Sequence, residues 1–171
     1  GRSAEGFYVP SECWSKRDFN VGTASEAGNL VATNLRTDLY VDALREAMAL
    51  GTAGFTAGLA VARMEHNGLR PANGPVVVSG ATGGVGSIAV DILSCLGYDV
   101  VALTGKESQV EYLKGLGAKE VMLRASLDLA KIKPLDRALW AGAVDNLGGE
   151  VLAWLASTLQ QNGVIASIGL A

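Results

Sequence analysis

A glycine-rich stretch between a run of three valines and an apolar-periodic segment is the part of this sequence best suited to chemistry. It reads SGATGGVGSIAV and covers residues 79–90. Glycines in a turn between a strand and a helix let the backbone approach a ligand closely. The free amides and the dipole of the following helix then favour a negatively charged group. The pattern predicts the phosphate site of a dinucleotide-binding fold, and the alternative is a turn whose glycines serve sterics alone.

The segments that must position this turn alternate between two periodicities. Short apolar runs bounded by glycine predict strands in GPVVVSG, YDVVALTG, AKEVMLR, AGAVDNLG and GVIASIGLA. Helical spacing predicts helices in VGSIAVDILSCLG, ESQVEYLKGLG and EVLAWLASTLQQNG, the last ending at Asn162–Gly163. Strand–helix–strand alternation with short connections predicts an α/β, Rossmann-like, doubly wound parallel sheet.

The chain divides by composition near residue 40. Residues 1–40 mix aromatic and polar residues without a sustained period, and we interpret them as an irregular segment that is a remnant of a catalytic domain. A further helix is predicted over about residues 41–68, where it packs against one face of the sheet. Residues 41–171 are therefore assigned to a dinucleotide-binding domain.

Composition excludes several classes of function. The formal net charge is −3 and no basic block occurs, which argues against nucleic acid as a partner. The sequence has neither an apolar run long enough to span a membrane nor a visible signal peptide, so we expect no membrane partner and a cytoplasmic location. With the one histidine, His66, and two cysteines far apart, no metal site is predicted.

The glycine pattern fits two kinds of dehydrogenase. Gly80, Gly84 and Gly86 match the short-chain pattern Gly-x-x-x-Gly-x-Gly, whereas Ala81–Gly86 matches the medium-chain quinone-reductase pattern Ala-x-Gly-Gly-Val-Gly. A short-chain enzyme needs a Tyr-x-x-x-Lys pair, in which the lysine lowers the pKa of the tyrosine. The residues four positions after the tyrosines are Glu12, Leu44, Ala102 and Leu116. None is lysine, so the short-chain interpretation lacks its chemistry.

The end of the second predicted strand bears on the choice of nucleotide. Sites that prefer NAD place an acidic residue there to bind the ribose 2′-hydroxyl. This sequence instead has Thr104, a glycine and Lys106, which suit a 2′-phosphate as a hydrogen-bond donor and a cation. Arg124, which ends the neighbouring strand, reaches the same place. We therefore predict NADP(H) as the cofactor; the alternative is a solvated Lys106 that pairs with Glu107.

Several segments occur in the order and at the spacing of one family. They are GTAGFTA, GATGGVG, LTGKES, YLKGLGAKEV and AVDNLGG. Over about residues 41–171 the chain resembles the medium-chain dehydrogenase/reductase superfamily, in particular its zinc-independent acryloyl-CoA reductase or quinone-oxidoreductase-like subfamily. The resemblance implies that Thr52 approaches the nicotinamide. It further implies that Thr82, Gly83, Gly84 and Val85 hold the pyrophosphate, and that Asn146, Ile168 and Leu170 line the nicotinamide side.

The resemblance also implies an activity. The family transfers hydride from NADPH to an activated C=C bond, in an acryloyl thioester or a quinone-like enone. Much of its substrate pocket comes from an N-terminal barrel-like domain, and its sixth strand would follow Ala171, so we expect a sheet truncated before its last strand. The expected function is that of the NADPH-binding domain of an oxidoreductase, inactive alone.

Two further expectations follow for this domain. No catalytic residue is assigned, because Asp145 at a strand end is expected to orient its neighbours by hydrogen bonds. A homodimer through the sheet edge is a further expectation. The alternative function is a nucleotide-sensing or interaction module without catalysis.

Overall fold

The computed structural model describes residues 37–129 and 137–169. The chain divides into two compact units, residues 1–52 and 53–171. The described part of the first unit is helical. Its helix α1 (Thr37–His66) runs on into the second unit, and its backbone leaves helical geometry at Gly51 (φ 41°, ψ −146°). Most of the segment predicted to be irregular, 1–40, lies outside the described residues, so that interpretation and the boundary at 41 stay predictions.

The second unit contains three more helices and five strands. The helices are α2 (Gly84–Cys95), α3 (Val110–Gly115) and α4 (Gly149–Ser157). The strands are β1 (Val76–Val78), β2 (Val100–Thr104), β3 (Glu120–Leu123), β4 (Trp140–Asp145) and β5 (Leu159–Ser167). Within the described ranges, no helix has the length and apolar character that a membrane span requires.

The strands form one parallel sheet in the order β3-β2-β1-β4-β5. The chain moves outward from β1 through β2 to β3, and then returns to the other side of β1 with β4. This reversal creates a topological switch point between the carboxyl ends of β1 and β4, which is where open α/β sheets bind their ligands. The predicted Rossmann-like, doubly wound parallel sheet is confirmed.

Both faces of the sheet are covered, which explains the unbroken valine run of β1. Val76 and Val78 belong to one core cluster, together with buried side chains of α1, α2 and α3. Val77 belongs to a second cluster on the opposite face, with Val151 and Leu155 of α4. Since successive residues of a strand point to opposite faces, a strand buried on both sides must be apolar throughout.

The last helix and strand differ from the prediction. Helix α4 ends at Ser157, not at Asn162–Gly163, and β5 begins at Leu159. Thr158 ends the helix because its hydroxyl and amide both donate hydrogen bonds to the carbonyl of Trp154. A register shift between β4 and β5 then accommodates the polar residues at the start of β5, including Asn162 at φ 64°. Apolar spacing that also fits a helix is used here for pairing with β4.

Candidate functional site

The glycine turn, residues 79–86, connects β1 to α2 in a tight geometry. Gly80 has a φ of 58°, a left-handed conformation that favours glycine. The Gly83 amide donates a 2.9 Å hydrogen bond to the Gly80 carbonyl, which closes the turn. A Cβ at Gly86 would overlap that same carbonyl oxygen and lie 2.8 Å from Ala81 Cα. The turn therefore needs glycine at both of these positions.

The N-terminus of α2 is open to solvent. Its N-cap residue is Gly83, and no side chain of the described residues accepts a hydrogen bond from this end of the helix. Gly83 and Gly84 are both exposed. The first amides of a helix have no intrahelical acceptor, and the helix dipole adds partial positive charge there. This end of α2 can bind an anionic group such as a phosphate.

A hydrogen-bonded network joins the carboxyl ends of β1 and β4 at the switch point. Ser79 Oγ donates a 2.7 Å hydrogen bond to Asp145 Oδ1, and both residues are fully buried. The same hydroxyl oxygen accepts a 2.9 Å hydrogen bond from the Asn146 amide. Asp145 Oδ2 accepts a 2.9 Å hydrogen bond from the Gly148 amide. The carboxylate therefore holds the β4–α4 connection in place and is not exposed to act on a substrate.

The Asn146 side chain lies in this network and keeps one polar atom unused. Its Nδ2 donates a 2.8 Å hydrogen bond to the Ser79 carbonyl. Its Oδ1 is buried and accepts no hydrogen bond from any described residue. A Cβ at Gly80 would lie 3.4 Å from Asn146 Cβ, so this side chain is directly beside the glycine turn.

The segment that follows β5 is fixed against the same strand end. The Ile168 and Gly169 amides donate hydrogen bonds of 2.8 Å and 3.0 Å to the Asp145 carbonyl. A Cβ at Gly169 would lie 2.5 Å from the carbonyl carbon of Asn146. The backbone at Gly169 thus approaches Asn146 more closely than any residue with a side chain allows.

On the other side of the turn, the ends of β2 and β3 present two cations. Thr104 pairs with Leu123 in the sheet, so Lys106 and Arg124 follow adjacent strand ends. Both are exposed, and neither forms an ion pair with any part of the chain that the structure describes. The buried Thr104 hydroxyl accepts a 3.1 Å hydrogen bond from the Lys106 amide. That contact shapes the loop, and it leaves the hydroxyl hydrogen available to a ligand.

The structure brings most of the predicted site residues to one edge of the sheet. The residues at this edge are Thr82, Gly83, Gly84, Val85, Thr104, Lys106, Arg124, Asn146 and Ile168. Thr52 belongs to the other compact unit, and Leu170 lies outside the described residues. Their roles, like those of the whole set, stay predictions.

Sequence reasoning missed Ser79 and the closeness of its partnership with Asp145. The available signal was a polar residue directly after a buried strand in two places, VVVS and AVDN. In the described parts of the chain, no group of three or more histidine, cysteine or acidic side chains is arranged to hold a metal ion.

No model of a known protein family matches the chain. The chain is 41% identical over 174 residues to acrylyl-CoA reductase AcuI of Ruegeria pomeroyi, across 99% of this chain and 53% of that protein. It is 54% identical over 127 residues to the putative quinone oxidoreductase YhfP of Bacillus subtilis, across 74% of this chain and 38% of that protein. The chain thus spans about half the length of the first relative and less of the second.

A solved structure from Salmonella enterica has the same fold over most of the chain. It is the yhdH oxidoreductase in complex with NADP, which is 49% identical with a TM-score of 0.70 over 72% of this chain and 38% of that one. The Bacillus subtilis YhfP structure, with NAD bound, gives 53% identity and a TM-score of 0.71. The chain therefore belongs to the medium-chain dehydrogenase/reductase superfamily, among the acrylyl-CoA reductase and quinone-oxidoreductase-like proteins.

Proposed function

We propose that residues 53–171 bind NADP(H) as the cofactor domain of a zinc-independent medium-chain reductase. The reductase transfers hydride to an activated C=C bond in an acryloyl thioester or a quinone-like acceptor. A bound nicotinamide supplies the hydride. The observation that carries the proposal is the glycine turn at the topological switch point, followed by an uncapped and exposed helix N-terminus.

The pyrophosphate of the cofactor fits the N-terminus of α2. The Gly83 and Gly84 backbone is exposed, and Thr82 and Val85 flank it. Backbone amides and the helix dipole supply the positive potential that a pyrophosphate needs. A Cβ at Gly83 would lie 3.3 Å from the Gly80 carbonyl oxygen, so the absence of side chains here keeps the approach open.

The adenosine half of the cofactor lies over β2 and β3, where its 2′-phosphate meets Lys106 and Arg124. Neither cation has an ion-pair partner among the described residues, and Glu107, the alternative partner of Lys106, is not bonded to it there. Unpaired, exposed cations at adjacent strand ends favour a dianionic phosphate over a ribose hydroxyl. The Salmonella relative is bound to NADP and the Bacillus relative to NAD. The preference for NADP(H) in this chain is therefore proposed from its own residues.

The second unit alone is proposed to be inactive. Asp145 is fully buried and its carboxylate is engaged by Ser79 and by backbone amides. His66 is exposed at the last residue of α1. Neither is available to polarise or protonate a bound acceptor, so catalysis requires groups outside the described site. The name of the Ruegeria relative supports an acryloyl thioester as the acceptor.

We also propose that the chain forms a homodimer through β5. This strand pairs with β4 and with no other described strand, and Val164–Ala166 on it are only half-buried. An apolar, unpaired strand edge favours pairing with a second chain. Sedimentation of a dilution series tests this: a dimer that dissociates on dilution supports it, and monomer at every concentration contradicts it. A cytoplasmic location stays a prediction of the sequence.

Calorimetric titration with NADPH and, separately, NADH tests the proposed function. We expect NADPH to bind at least tenfold more tightly than NADH, because a charge-assisted contact contributes about 1.5–3 kcal/mol. Binding of neither nucleotide would contradict the proposal. Oxidation of NADPH by acryloyl-CoA in the presence of this chain separates the remaining alternatives. Binding without turnover supports a cofactor domain or nucleotide-sensing module, whereas turnover would contradict the proposed inactivity.

A further inference from the structure

We infer that Asn146 Oδ1 is the hydrogen-bond acceptor for the carboxamide N–H of the bound nicotinamide, and that Ser79 and Asp145 are the positioning residues that orient it. The inference rests on the proposed binding of NADP(H). It assigns a specific atom and a specific partner to a site that is otherwise defined only by its place in the fold.

The orientation of the Asn146 amide follows from its partner. The Ser79 carbonyl oxygen can only accept a hydrogen bond, so the side-chain atom 2.8 Å from it must be the amide nitrogen. The remaining atom, Oδ1, is then an acceptor by necessity. A flipped amide would place two oxygens against each other and lose this hydrogen bond.

The backbone around Asn146 fixes its position as firmly as its side chain. Its amide donates to Ser79 Oγ, which in turn donates to Asp145 Oδ1. The Leu147 and Gly148 amides donate to the two Asp145 oxygens at 3.3 Å and 2.9 Å. Each polar group of the Ser79–Asp145 pair therefore holds a neighbour of Asn146 or Asn146 itself. Removal of the Ser79 hydroxyl would release this arrangement without touching the ligand.

The unpartnered oxygen requires a donor from outside the described residues. A buried acceptor without a donor costs free energy, and Oδ1 has none here. Asn146 lies beside Gly80 of the glycine turn and against Gly169 at the end of β5. A ligand that enters the switch point from the α2 N-terminus meets this oxygen next.

The carboxamide is the donor group of NADP(H) that belongs at this place. With the pyrophosphate at α2 and the adenosine half over β2 and β3, the nicotinamide half must extend over β4 and β5. The carboxamide has two N–H donors and one carbonyl oxygen. A nucleotide in which a methyl replaces the amide nitrogen keeps the size of this group and removes both donors.

The test compares NADP⁺ with its 3-acetylpyridine analogue, by calorimetric titration of the full chain. The wild-type chain should bind NADP⁺ about tenfold more tightly, the effect of one hydrogen bond to an otherwise unpaired acceptor. Equal affinity for the two nucleotides would overturn the inference and leave the proposed function intact. Binding of neither would remove the proposed function, and the inference with it.

Variants identify the atom and its support. Asn146→Ala should bring the ratio of the two affinities from about ten to about one, because the acceptor is gone. Ser79→Ala should lower the same ratio by about threefold, since the amide loses its orientation. Lys106→Ala serves as the control, because it should weaken both nucleotides alike and leave the ratio unchanged. If Asn146→Ala weakens both nucleotides by the same factor, the side chain has only a structural role and the inference is wrong.

Discussion

A side chain at Gly86 would collide with the carbonyl oxygen of Gly80, the first glycine of the turn. The second residue after the start of α2 is thereby packed directly on the backbone that follows β1. This close approach aims the helix N-terminus at the carboxyl edge of the sheet. The geometry of the candidate phosphate site thus depends on a glycine that contacts no ligand.

Substitution of Gly86 should therefore destabilise the domain. We expect Gly86→Ala to lower the free energy of unfolding by about 1–3 kcal/mol, the usual cost of overpacking, because the obstructing atoms are backbone. Urea denaturation measures the change. Gly115→Ala is the matched control, since no atom lies within 4 Å of the added methyl group. It should leave stability unchanged or raise it by up to about 1 kcal/mol. Equal effects of the two substitutions would contradict this packing argument.

Removal of the Lys106 side chain should change which nucleotide binds. We expect Lys106→Ala to weaken NADPH by about 5- to 150-fold and to leave NADH nearly unchanged, because the ammonium group contacts only the 2′-phosphate. Lys114→Ala removes the same charge from α3, where Lys114 bonds to Glu111 at 3.2 Å, and should affect neither nucleotide. Calorimetric titration of both variants measures the affinities. Equal losses for NADPH and NADH at position 106 would exclude a 2′-phosphate contact.

Neutralisation of Asp145 should cost far more than neutralisation of an exposed aspartate. Asp145→Asn replaces an acceptor of the Ser79 hydroxyl or of the Gly148 amide by a donor, within a fully buried network. We expect the free energy of unfolding to fall by about 1–3 kcal/mol. Asp99→Asn breaks a surface ion pair with Lys119 and should cost at most about 1 kcal/mol. Thermal unfolding of the two variants gives the comparison, and similar losses would mean that the network adds little to stability.

The sequence predicts those parts of the fold and site that depend on short-range patterns. The glycine spacing, the valine run of β1 and the Gly105–Lys106 loop are each readable within ten residues, and each lies where the alternation of strands and helices puts it. The bond between Ser79 and Asp145 joins residues 66 positions apart. No local pattern encodes it, because it exists only once β4 has inserted beside β1.

The boundary between α4 and β5 was mispredicted for a related reason. Leu155 and Leu159 lie four positions apart, as on one face of a helix. In the structure Leu159 instead pairs with Trp140 of β4. Pairing with a strand some twenty residues earlier overrides the local helical spacing, and such a long-range contact cannot be read from the segment itself.

Tyr98 connects the helix that precedes the sheet to the start of β2. Its hydroxyl donates a 2.9 Å hydrogen bond to Glu65 Oε1, and the side chain is only 4% exposed. Burial, reinforced by the bond to Glu65, raises the pKa of the Tyr98 hydroxyl well above its usual value of 10.0. In the unfolded chain this phenol ionises near its usual pKa, so the folded state binds the proton more tightly.

The stability of the domain should therefore fall as the pH rises above 10, where the unfolded chain releases this proton and the folded chain keeps it. The contribution of Tyr98 is fully present below that pH and is lost above it, by about 1.4 kcal/mol for each pH unit until the folded pKa is reached. Tyr98→Phe should lose this part of the slope. Tyr112→Phe, at a tyrosine that is 48% exposed, should retain it. Urea denaturation between pH 9 and 11 measures the slopes, and parallel curves for the wild-type chain and Tyr98→Phe would show that the Tyr98 proton is not held by folding.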